Sequence, residues 1–153
     1  MNFEKSWGKN IKKKNFYIYL GLSLFIFLAI APWILTHELS SFLLRSFNAY
    51  LAIAISFIAG SLWWRDNLIK DIHLEAIVIS MLAFLGILIF EFSQGMAIIL
   101  QIILINFLLR FELKVIGEDE NILSYIETRK LATYIITILC VIQLAYLFNP
   151  YVN

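Results

Sequence analysis

At 153 residues the chain is one domain long, yet 61% of it is hydrophobic and 15% charged, with a mean hydropathy of +0.84 and a net charge of +1. A soluble domain is about 45–50% apolar and about 25% charged, and a fold this small exposes too much surface to hide the surplus from water. The composition excludes a water-soluble fold, and the single cysteine, Cys140, excludes an intrachain disulfide and a cysteine-based metal cluster.

A helix crosses about 30 Å of hydrocarbon with about 20 apolar residues, and five runs approach that length. After a lysine-rich tail, residues 16–35 carry no charge. Ala29-Ile30-Ala31 resembles a signal-peptide cleavage pattern, but Pro32 follows at once and the apolar run continues through Trp33 to Leu35, so a retained anchor is expected. A mitochondrial presequence is not, because the tail contains Glu4 and no Arg. Between Thr36 and Phe47, Leu39, Phe42, Leu43 and Phe47 share one helical stripe. Two readings stand open there: a short interfacial helix capped by Thr36, or a continuation of the next span. Residues 46–64 form that span, with Asn48 at its edge. The third, 74–91, extends past an uncharged run from Ala76 to Phe90 that Glu75 and Glu91 bracket, and a tight connection with Gly95 as its breaker leads to the fourth, 95–113. The last covers 131–148. The runs are continuous rather than alternating, so residues 1–153 read as a single transmembrane domain, an all-α polytopic bundle of five helices.

Orientation follows from Lys and Arg in the short loops. Lys5, Lys9, Lys12, Lys13 and Lys14 precede the first span, Arg65 and Lys70 follow the second, and Arg110, Lys114, Arg129 and Lys130 lie after the uncharged run of the fourth, which ends at Leu109, and before the fifth. Eleven of the twelve basic residues thus share one side, and Arg45 alone takes the other, which implies a cytoplasmic N-terminus and an outside C-terminus. Phe16, Tyr17, Tyr19, Trp63, Trp64, Tyr125 and Tyr134 fall near the cytoplasmic boundary, and Trp33, Tyr146, Phe148 and Tyr151 near the other, where amphipathic rings prefer to sit. Ala52, Ser56 and Gly60 recur every four residues as a small-residue packing stripe, and Thr133, Thr137 and Cys140 form a narrow, more polar one.

The second span also carries a resemblance. The run from Tyr50 to Trp63, YLAIAISFIAGSLW, resembles the Y-x-x-x-I-L-S-F-L-G-G-x-x-W signature of an uncharacterised family of small membrane proteins, domain of unknown function 3429, related to mitochondrial transmembrane protein 69. Tyr50, Ser56, Phe57, Gly60 and Trp63 are the matching positions. More weakly, Ala31-Pro32-Trp33 resembles the family's I-P-F, and Ser80 to Phe84 its P-S-L-x-A-W with Ile79 at the proline. Arg129 to Thr133 is similar to its R-x-P-L-T, again without the proline, and Glu112 stands where the family carries Asp. Leu62 replaces a frequently polar residue and Trp64 a small one, which leaves open any role needing that polar group. The resemblance implies five spans and a bacterial inner-membrane or mitochondrial location, and no known activity.

Catalytic chemistry has little to stand on. No span holds Asp, Glu, Lys, Arg or His near its centre, where ion paths and proton relays carry them. The central polar residues are Ser56, Ser80, Gln101, Asn106, Thr137 and Gln143, read as bridges between helices. His37 and His73 fall on opposite sides, and no zinc-protease, nucleophile-elbow or phosphate-loop motif is present, so no catalytic residue, cofactor or metal is expected. The tail lysines Lys12 to Lys14 set topology or touch anionic headgroups. The expected partners are membrane lipids, a second copy or another membrane protein, and not nucleic acid.

One cluster remains. Glu112, Arg129, Thr133 and Trp63 all fall near the cytoplasmic interface, where Arg129 either pairs with Glu112 to lock spans four and five or binds a lipid phosphate. Two functions follow: a non-enzymatic structural or assembly partner, or a lipid- or small-molecule-handling protein, as a transporter component or membrane enzyme, that uses this cluster.

Overall fold

The computed structural model describes residues 3–62, 73–115 and 120–149, with side chains described for 16–36, 38–62, 73–114 and 125–149. The described residues are helical almost throughout: α1 (Phe3–Ile30), a 3-10 turn (Ala31–Trp33), α2 (His37–Ser61), α3 (His73–Phe90), α4 (Gln94–Val115) and α5 (Glu120–Leu147). Five stretches are long and apolar enough to cross a membrane: Phe16–Trp33, Glu38–Ser61, His73–Phe90, Gln94–Lys114 and Tyr125–Leu147. In hydrocarbon a helix is the simplest way to satisfy every backbone group within one segment.

Local chemistry sets the breaks. Pro32 lies in the 3-10 turn, where its missing N–H is not needed. Thr36 occupies the N-cap position of α2 with an extended backbone, but its side chain makes no capping bond. Ser40 ties the corner instead, its Oγ donating to Pro32 O at 3.0 Å and shared with Thr36 O at 3.0 Å. Between α3 and α4 the chain turns at residues 91–93. Ser93 caps α4 by accepting from the Met96 N–H at 3.5 Å. Gly95 is therefore not the breaker: it sits in the first turn of α4, where an added Cβ would lie 3.3 Å from the Phe148 ring.

Two helices start earlier than their charge-free runs. α2 is continuous from His37 to Ser61, so Thr36–Phe47 leads directly into span two. The stripe read there divides, with Leu39 and Phe42 exposed and Leu43 and Phe47 buried. Arg45 is accommodated because its Nη2 lies 3.0 Å from Glu91 Oε2 at the α3–α4 turn. The candidate span on α5, Tyr125–Leu147, takes in Arg129, which pairs with Glu112 inside the bundle.

Each helix packs against the next, α1 closes against α5, and α2 also touches α4. The C-terminal ends of α1 and α5 meet, with Gln143 Nε2 donating to Leu28 O at 2.9 Å and Trp33 edge-on to Tyr146 at 5.4 Å. Those two helices therefore run parallel, and the described ends of the chain lie at opposite ends of the bundle. The core includes Phe47, Leu51, Ile55, Ile98, Ile105 and Leu108. Large apolar side chains cover the outside, Phe57 (76% exposed) and Phe92 (91%) among them. In water such a surface would aggregate; lipid solvates it.

α3 is clamped from both sides. Asn48 Nδ2 on α2 donates to Gly86 O at 3.2 Å, and Gln101 Nε2 on α4 donates to Ala83 O at 3.0 Å. Gly86 makes room for this, since a Cβ there would collide with the Gln101 amide. Gly60 is the opposite case: nothing lies within 4 Å of a Cβ built on it. The stripe of Ala52, Ser56 and Gly60 is thus not one packing seam, because Ala52 is buried, Ser56 half-buried and Gly60 open.

Gly86→Ala is expected to break the Gln101–Ala83 bond and lower unfolding stability in mixed micelles by about 1–3 kcal/mol. Gly60→Ala should change it by under about 0.5 kcal/mol. Equal effects of the two would contradict this packing.

Candidate functional site

The polar side chains gather in two zones. The first lies within the spans and consists of carboxamides. Asn48, Gln101 and Gln143 are each at most 2% exposed, and each donates to a main-chain carbonyl of a neighbouring helix. Asn106 Nδ2 donates to Thr137 Oγ1 across the α4–α5 contact at 3.0 Å, and Thr137 Oγ1 donates to Thr133 O at 2.9 Å. Asn48 Oδ1, Gln101 Oε1 and Gln143 Oε1 are buried without a partner. The asymmetry has a physical reason. A helical carbonyl keeps a second lone pair free, whereas the N–H groups inside a helix are already bonded. A buried amide therefore finds acceptors on the next helix and no donors.

The second zone sits where α4 ends and α5 begins. Glu112, 1% exposed, and Arg129, 5% exposed, form an ion pair with Nε 3.3 Å from Oε2. The Tyr125 hydroxyl donates to Glu112 Oε1 at 3.1 Å, and Arg129 Nη1 donates to Thr133 Oγ1 at 3.3 Å. Arg129 Nη2 is buried with no hydrogen-bond partner. Placement near a span end keeps the charges from the bilayer centre, where each would cost about 2.5–3.5 kcal/mol on insertion scales. Removing one member of a buried pair typically costs about 3–5 kcal/mol, because the other is left charged and alone. From Arg129 through Thr133 and Thr137 to Asn106, a hydrogen-bonded seam runs down the α4–α5 contact.

The residues singled out from the sequence divide between several places. Glu112, Arg129 and Thr133 come together, while Trp63 lies outside the described residues. Pro32 is buried at the α1–α2 corner. The Tyr50 hydroxyl donates to Gly21 O at 3.4 Å and its ring lies 4.5 Å from that of Phe25, so it joins α2 to α1. Ser56 is half-buried, while Phe57 and Gly60 face outward on α2. Tyr125, in sequence only a boundary ring, bonds Glu112, and Asn48, in sequence only an edge residue, bonds Gly86 O across helices. An amide inside an uncharged run was the available signal for Asn48.

Comparisons with protein-family models, with curated proteins and with solved structures give no match. The likeness of α2 to the uncharacterised family rests on the motif residues alone.

Arg129→Gln, which strands Glu112, is expected to destabilise the bundle by about 3–5 kcal/mol in a detergent unfolding titration. The double substitution Arg129→Met with Glu112→Leu should recover most of that loss. A double variant as unstable as the single one would show that the pair is not what holds this end together.

Proposed function

We propose that this chain is a non-enzymatic structural or assembly protein of the bacterial inner membrane, with its N-terminus in the cytoplasm, of the same kind as the uncharacterised family its second span resembles. The observation that carries this reading is the use of the buried polar groups. Asn48, Gln101, Asn106 and Gln143 are spent on neighbouring helices, and Glu112 and Arg129 on each other. Groups so engaged specify helix neighbours rather than hold a substrate. The cytoplasmic assignment is supported by the eleven basic residues that the five-span reading gathers on one side.

Such a protein acts by lateral contact. The outward side of α2 offers a surface for it: Ile53 and Phe57 stand out, and Gly60 leaves a notch that a second helix backbone can approach closely. The partner is a second copy of the chain or another membrane protein.

A second reading has one observation in its favour, the unpartnered Arg129 Nη2. On that reading the α4–α5 cluster handles a lipid or small molecule whose acceptor meets the guanidinium.

Light scattering with mass spectrometry on the full chain, purified in mild detergent, separates the two. The first reading expects a homo-oligomer or a stoichiometric partner chain that Gly60→Leu releases without unfolding the protein. A monomer carrying a small molecule that Arg129→Lys loses would overturn it in favour of the second.

A further inference from the structure

One outward stripe of α4 runs its whole length. Met96, Ile99, Ile103, Phe107, Arg110 and Lys114 follow one another at spacings of three or four residues, and all are exposed. Its first four members are apolar and its last two cationic. Phe107 is braced by the Phe111 ring stacked on it, centroids 6.3 Å apart and planes 14° from parallel. Glu112, the nearest acid on the same helix, points the other way into its pair with Arg129. Neither Arg110 nor Lys114 pairs with a carboxylate among the described residues.

We infer that this stripe is a binding site for an anionic phospholipid, its phosphate held between Arg110 and Lys114 and an acyl chain lying along Phe107, Ile103 and Ile99. The dimensions fit. Arg110 and Lys114 are one helical turn apart, about 6 Å at 1.5 Å per residue. Arg110 to Ile99 spans about 16 Å, against about 15 Å for half of a 30 Å hydrocarbon core. The chemistry selects the headgroup. Arg presents a planar fork to phosphate oxygens, and Lys adds a point charge that its long stem carries to headgroup depth. Two cations without a carboxylate partner among the described residues exceed the single charge of a phosphate, so a headgroup with its own ammonium is repelled and a net-negative one is favoured. The inference is independent of both functional readings, since a lipid held on the outer face of α4 suits a scaffold and a lipid-handling protein alike.

The test is a native mass-spectrometric titration of the full chain in a neutral maltoside detergent with phosphatidylglycerol and, separately, phosphatidylcholine. Wild type is expected to prefer phosphatidylglycerol. The double substitution R110Q/K114Q should weaken that binding roughly 30-fold, at about 1 kcal/mol per basic residue, and leave phosphatidylcholine unchanged. R45Q, which removes a cation from the other end of the bundle, should leave phosphatidylglycerol binding at the wild-type level. Equal affinity for the two lipids, an unaffected R110Q/K114Q, or an equal loss in R45Q would overturn the site. Displacement of phosphatidylglycerol by millimolar inorganic phosphate would also overturn it, because the acyl stripe would then contribute nothing.

Discussion

Inside hydrocarbon a polar side chain has no water to fall back on, and a helical backbone offers it only acceptors. Much of this bundle follows from that constraint. Asn48, Gln101 and Gln143 turn their NH₂ groups to carbonyls on the next helix and leave their own oxygens unmatched. Each such bond contributes only about 0.6 kcal/mol on average in a membrane protein, but each also fixes one helix at one height against another. α3 is held this way at Ala83 and Gly86, and α1 at Leu28. Apolar packing, which is as good with lipid as with protein, does not fix height so sharply.

Charge obeys the same constraint at a higher cost, and two ion pairs near span ends answer it. Arg45 meets Glu91 in the open, where the bond contributes under about 1 kcal/mol. Arg129 meets Glu112 out of solvent, supported by Tyr125 and Thr133. The second pair determines more, because neither partner can lose the other cheaply. It joins α4 to α5 at one end, while Gly95 against Phe148 brings the same two helices together at the other. A chain that commits its polar groups to its own architecture is built to be a shape within the membrane. That is the physical content of the scaffold reading we propose, which assigns contact with other molecules to the outward faces, α2 with its open glycine and α4 with its two cations.

The five spans were legible because apolar runs of this length have one stable use, and Lys and Arg showed where they stop. Those same charges do not mark helix ends: Arg45 lies within α2 and Arg129 within α5. Arg45 and Arg129 looked like span limits because their partners lie 46 and 17 residues away, a relation no local pattern displays. Sequence placed Glu112, Arg129 and Thr133 in one region but left pairing and lipid binding as alternatives; the geometry shows the pair. Glycine was harder to read. A four-residue repeat pointed to Gly60, whose side of the helix is open, while the close approach occurs at Gly86, against one long amide from α4. A repeat identifies a smooth face, not what lies against it. Gly95 was read as a helix breaker from residue type, yet Ser93 two positions earlier supplies the cap.

Everything rests on an odd number of crossings with the basic ends inside. Fusing a reporter active only in the cytoplasm, and one active only outside it, to each terminus of the full chain tests this directly. The N-terminal fusion should be active only with the cytoplasmic reporter and the C-terminal fusion only with the external one. Both termini reporting the same compartment would contradict the five-span bundle and the functional reading built on it.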